Sequence, residues 1–167
     1  MAETLKLDLM VPVHTIARGK LVNFDVRLNE TERHQLCERF NFIKLEGVVG
    51  KIALEQIADR CWELKGKINV EITQACVVSG QPVESSFKIE LEERFVDTLS
   101  NQTEIDAMDV DVDLLVNDEI PVGESLCQWI GVCAPAWPRK KNVPFMGDPE
   151  LNKAENHPFA RLSELKK

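Results

Sequence analysis

Residues 61–96 read CWELKGKINVEITQACVVSGQPVESSFKIELEERFV, and a period of two runs through both halves of that stretch. In the first half Trp62, Leu64, Ile68, Val70 and Ile72 alternate with Glu63, Lys65, Lys67, Asn69 and Glu71. Beyond Gly80-Gln81-Pro82, Val83, Phe87, Ile89, Leu91 and Phe95 alternate with Glu84, Lys88, Glu90, Glu92 and Arg94. Strand side chains point alternately to opposite faces, so each half carries one apolar and one wet face. The short Gly-Pro connection between them predicts an antiparallel hairpin.

Toward the N-terminus, Leu5, Leu7, Leu9, Val11 and Val13 share one parity and predict an opening strand. Phe24, Val26 and Leu28 predict another, and 43–54 a third, with Gly47 and Gly50 marking a bulge or a turn in it. Asn29-Glu30-Thr31-Glu32 has the form of a helix start, with Asn29 as cap and Glu32 placed to bond back. Leu36, Cys37 and Phe40 then make its apolar stripe. Toward the C-terminus, 97–109 reads as a polar loop and Val110, Val112 and Leu114 as a short edge strand. Val122, Leu126, Trp129, Ile130 and Cys133 fall on one face of a helix opened by Pro121 and closed by Pro135 and Pro138. Residues 139–157 have no period, and Phe159, Leu162 and Leu165 suggest a short closing helix.

These elements predict an α+β fold: an antiparallel, strongly curved, even barrel-like β-sheet with two main helices and an extended C-terminal tail. Residues 1–138 read as a single domain and 139–167 as a basic, partly flexible tail.

The chain has 167 residues, 44% of them hydrophobic, enough for one core that needs no metal or disulfide staple. No apolar run approaches the roughly 20 residues of a membrane span. Met1-Ala2-Glu3-Thr4 has neither a basic nor an apolar leader region, so a cytoplasmic protein is expected. Five cysteines, an odd number, suit free thiols better than a disulfide framework. The net charge of −8 is uneven: 95–138 holds nine acids and no base, while 139–167 carries net +3. An acidic surface excludes broad coating of nucleic acid, but a basic tail still permits local contact.

No catalytic motif is visible, and neither a cofactor nor a metal is expected. There is no Gly-rich phosphate loop, Gly-x-Ser-x-Gly or His-Glu-x-x-His. His14, His34 and His157 are scattered. Cys127 and Cys133 fall on different faces of their helix, while Cys61 and Cys76 have partners only if they approach across strands. Asp109, Asp111 and Asp113 lack the glycine and closing glutamate of a calcium loop, and instead form one acidic strand face.

Three segments together resemble a known family. Gly66-x-Ile68-x-Val70 leads into Ile72-Thr73-Gln74-Ala75-Cys76-Val77-Val78-Ser79-Gly80-Gln81-Pro82-Val83. Gly123-Glu124, Gln128 and Trp137-Pro138-Arg139-Lys140 follow, and the chain closes on His157-Pro158-Phe159-Ala160-Arg161-Leu162-Ser163-Glu164-Leu165-Lys166-Lys167. The pattern is similar to the YceD-like family of large ribosomal RNA subunit accumulation proteins, in its alphaproteobacterial form. The resemblance implies a cytoplasmic ribosome-biogenesis factor without enzymatic activity. Its implied partner is large-subunit ribosomal RNA, a pre-ribosomal particle or a basic ribosomal protein such as L32. Many relatives carry Cys-x-x-Cys where this chain has Cys76-Val77-Val78-Ser79, which leaves Cys76 as a hairpin residue with Val77 and Val78 packing beneath it.

Joined to the charge pattern, the resemblance nominates two surfaces. Trp137, Arg139, Lys140, Lys141, Arg161, Lys166 and Lys167 are candidates for contact with RNA or particle. Asp106, Asp109, Asp111, Asp113, Asp118 and Glu119 are candidates for holding a basic partner, the route by which a carrier without RNA contact would act. Trp137 either stacks on a partner or caps the core while the tail docks on its own domain.

Overall fold

The architecture comes from a computed structural model, which describes residues 3–97 and 112–143. The expected acidic loop, the closing helix and the candidates Asp106, Asp109, Asp111, Arg161, Lys166 and Lys167 lie outside the described residues. The elements in chain order are β1 (Glu3–Thr4), β2 (Val11–Pro12), a turn of 3-10 helix (Val13–Thr15) and β3 (Val22–Arg27). Then come α1 (Glu30–Phe40), β4 (Lys44–Ala58), β5 (Cys61–Ala75), β6 (Pro82–Val96), β7 (Val112–Leu114), β8 (Glu119–Ile120) and α2 (Val122–Cys133).

The alternating stretch forms the predicted hairpin. β5 and β6 pair without a break from Cys61↔Val96 to Ala75↔Pro82. Trp62, Leu64, Ile68, Val70 and Ile72 face inward with Ile89, Leu91 and Phe95. Each such side chain, fully buried, contributes about 1.5–3 kcal/mol. The outer face is wet and cross-linked by ion pairs: Lys65 reaches Glu63 (2.9 Å) and Glu92 (3.1 Å).

The sheet runs β1-β3-β4-β5-β6-β7, antiparallel except where β1 and β7 join it in parallel. It is open, because β1 and β7 form its two edges and do not pair with each other. The barrel-like curvature expected from the sequence is therefore corrected. The apolar face is covered by helices, and a sheet capped in that way has no need to close on itself.

The capping box forms: Asn29 Oδ1 accepts the Glu32 N–H at 2.9 Å, and the Glu32 carboxylate accepts the Asn29 N–H at 2.9 Å. α1 and α2 approach closely at Gly131, where an added Cβ would lie 2.5 Å from the Phe40 ring. Arg39 ties the same helices together with a two-pronged pair to Glu124, at 2.6 and 2.7 Å. Leu126 and Ile130 are fully buried beneath them.

Two sequence expectations need correction. The opening strand does not run through 5–13: only Glu3–Thr4 and Val11–Pro12 are strand, with a turn between them closed by Leu9 N–H to Lys6 C=O at 3.1 Å. The chain bends so that Leu9 C=O can accept the Gly123 N–H (3.1 Å) at the start of α2. Of the two glycines in β4, only Gly47 marks a bulge, since the register shifts between Leu45 and Gly47. Gly50 stays in register opposite Ile68, where a Cβ would meet the Lys67 carbonyl oxygen at 2.3 Å. Among the described residues no helix is long and apolar enough to cross a membrane.

Candidate binding surface at the hairpin tip

The tip of the hairpin is a tight loop. Cys76 N–H donates to Gln81 C=O (2.8 Å), Gly80 N–H donates back to Cys76 C=O (2.9 Å), and Gly80 takes a φ of 69°, which glycine adopts without strain. α2 ends nearby at Cys133, and Pro135 and Pro138 keep the chain beyond it from continuing the helix. The chain beyond it lies down on the tip. Gln74 Nε2 donates to Pro135 C=O at 3.2 Å, and Val77 N–H donates to Pro138 C=O at 2.9 Å. Lys140 closes the clamp twice, through its N–H to Cys76 Sγ (3.4 Å) and its Nζ to Gln81 Oε1 (2.8 Å).

Cys76 is the anchor of this junction and is only 3% exposed. Its thiol is lowered to about 6 from an ordinary 9.0, first by the Lys140 backbone N–H, then by the Ser79 hydroxyl and the Ser79 and Val78 N–H groups. A ring of donors favours the charged form of a sulfur. The other four cysteines shift the other way. Burial raises Cys37, Cys61 and Cys133, and pushes Cys127 up to about 11. All five are free thiols. Cys61 and Cys76 sit near opposite ends of β5, so the cross-strand approach considered from the sequence does not occur. Val77 is 52% exposed and so does not pack beneath Cys76, because its N–H has turned to meet Pro138.

The clamp fixes what the segment presents. Pro138 is buried, while Trp137 beside it is 81% exposed. The segment therefore docks on its own domain, yet its tryptophan does not cap the core. Arg139, Lys140 and Lys141 are exposed next to it. Arg139 also donates to Val143 C=O at 2.9 Å, so two of the three cations help to shape the surface. Docking continues through Lys140, past the domain boundary drawn at 138 from the sequence.

The described acidic candidates are placed elsewhere, around β7 and β8. Asp113 and Asp118 are exposed and Glu119 is half-buried. Asn117 and Asp118 both take φ of 58° in the turn between Val116 and Glu119, a geometry that favours Asn and Asp for conformational reasons. Asp118 C=O also accepts the Val13 N–H at 2.9 Å.

Sequence reasoning missed Glu93. It shares parity with Leu91 and Phe95 and is 7% exposed, on the apolar face, where the Trp129 indole N–H donates to its carboxylate. The signal was a charge at a core position of the alternation. Among the described residues no group of three His, Cys, Asp or Glu is arranged to hold a metal ion. Comparison of the chain with family models, with characterised proteins and with solved structures finds no match.

Proposed function

We propose that this protein is a non-enzymatic ribosome-biogenesis factor of the YceD-like type, acting in the cytoplasm. On this reading it supports accumulation of large-subunit ribosomal RNA by binding that RNA or a pre-ribosomal particle. The observation that carries the reading is the clamped segment, which holds Trp137 81% exposed beside exposed Arg139, Lys140 and Lys141. An indole on a fixed backbone can stack on an unpaired base at little ordering cost, and adjacent cations meet phosphates. The resemblance of the hairpin, the Trp137-Pro138-Arg139 element and the C-terminal residues supports the choice of ribosomal RNA over other RNA.

A second reading, a carrier for a basic ribosomal protein such as L32 without RNA contact, is favoured by the exposed carboxylates of Asp113 and Asp118. Crosslinking of the intact protein in cells separates the two. The RNA reading predicts crosslinks from 137–141 to large-subunit RNA that disappear in Trp137→Ala. Crosslinks to protein alone would select the carrier.

A further inference from the structure

Among the described residues, the far side of β6 is unpaired up to Arg94, where β7 joins it. Val96 C=O points away from β5 and accepts the Leu115 N–H at 2.8 Å, whereas Gln81 C=O points toward β5 and accepts the Cys76 N–H. Backbone direction alternates along a strand, and the β5–β6 register has no bulge to reset it. Glu84, Ser86, Lys88, Glu90 and Glu92 therefore turn their N–H and C=O groups outward. β7 pairs only with Arg94–Val96, and among the described residues nothing hydrogen-bonds to the outward main-chain groups of those five positions. They span about 27 Å of unpaired edge at a strand's rise per residue. Pro82, which has no N–H, sits at the outward parity, as a proline in an edge strand must.

The edge adjoins an acidic depression of about 440 Å³ lined by Lys44, Glu46, Glu71, Glu84 and Ser86. Glu46 is the extra residue of the β4 bulge. Its freed C=O accepts from Arg33 Nη1 at 2.7 Å, and its Oε1 accepts from the Thr73 hydroxyl at 2.8 Å. Its Oε2 is shielded from solvent and has no hydrogen-bond donor. The Glu46 side chain is 31% exposed and its Oε1 lies 3.6 Å from Lys44 Nζ. One cation thus stands in the depression against three carboxylates, which leaves net negative charge for a second ammonium or guanidinium.

We infer that the β6 edge from Glu84 to Glu92 is a docking site for an extended, basic polypeptide segment of a partner. The segment adds a strand to the sheet and places a lysine or arginine in the Glu46–Glu71–Glu84 depression. Main-chain hydrogen bonds supply affinity, and the three carboxylates against the single Lys44 supply the preference for positive charge. This site is separate from the Trp137 surface and stands whether or not that surface meets RNA.

The test uses the full chain and three labelled ten-residue peptides: alternating Lys and Thr, alternating Glu and Thr, and the Lys-Thr peptide methylated at alternate backbone nitrogens. The expected result is binding of the plain Lys-Thr peptide at least about tenfold tighter than of either other peptide. Amide exchange should slow at Glu84, Ser86 and Lys88 on binding. Glu71→Gln with Glu84→Gln, which leaves the backbone intact, should weaken binding by about tenfold. Equal binding of the methylated or the acidic peptide overturns the proposal, as does protection confined to other strands. A free protein that is already dimeric, with these amides protected, assigns the edge to a second copy and overturns it as well.

Discussion

The hairpin of β5 and β6 supports two surfaces of opposite character, and they are built in different ways. At its tip, an aromatic and basic segment from 64 residues away in sequence is fastened by main-chain bonds to a loop. Along its outer edge, an acidic surface arises from strand register and the β4 bulge that places Glu46, with no docking element among the described residues. The tip surface depends on four hydrogen bonds to Pro135, Pro138 and Lys140, one of them accepted by the Cys76 sulfur. The edge surface depends on β6 holding its place beside β5 and on the β4 bulge at Glu46. The two should therefore fail under different mutations, although both rest on one core.

The largest effect should come from that core. Leu64→Ala removes a fully buried side chain shared by both surfaces and should cost about 2–5 kcal/mol. Denaturant unfolding measures the cost, and loss of both binding activities together is the expected companion. Cys76→Ala should separate the surfaces. With the acceptor gone, exchange of the Lys140 amide should accelerate by at least about tenfold, while amides of β6 that face β5 keep their protection.

The same sulfur gives the tip a pH dependence of its own. Its thiolate is favoured in the folded state, so the stabilisation is complete above the ordinary thiol value of 9.0 and is lost as pH falls through about 6. The stability difference between the wild type and Cys76→Ser should grow from pH 6 to pH 9. Thiolate absorbance should show one of the five cysteines titrating near 6 and the rest above their ordinary value.

Two smaller changes should leave both surfaces intact. Asn29→Ala removes the cap of α1 and should cost about 1 kcal/mol. Arg39→Ala breaks the pair with Glu124, whose partners are 44% and 41% exposed, and should cost less than about 1 kcal/mol. Peptide and RNA binding by either variant should match the wild type.

The parts of the fold that were legible in the sequence are those set by local chemistry. The period of two in 61–96, the Asn29–Glu32 box and the apolar face of α2 each need only neighbours within a few residues. The parts that were not legible depend on distant partners. Leu5 to Val13 alternates like a strand, yet the demand of Gly123 for an acceptor breaks it in two. Glu93 belongs to the inner face because Trp129 supplies a donor there. Trp137 was nominated from its neighbours, but its exposure is decided by Pro138 and Cys76, and no local pattern joins Cys76 to Lys140. The edge of β6 was hidden for another reason: alternation predicts faces and says nothing about which strand lies outermost.

The central claim is that the clamped segment meets large-subunit RNA. Its most direct test is the affinity of the purified protein for large-subunit precursor RNA across a salt series, beside the variant Arg139→Glu, Lys140→Glu, Lys141→Glu. The account predicts weaker binding and a salt dependence shallower by about two to three released ions. Equal affinity and an equal slope for the two proteins would contradict it.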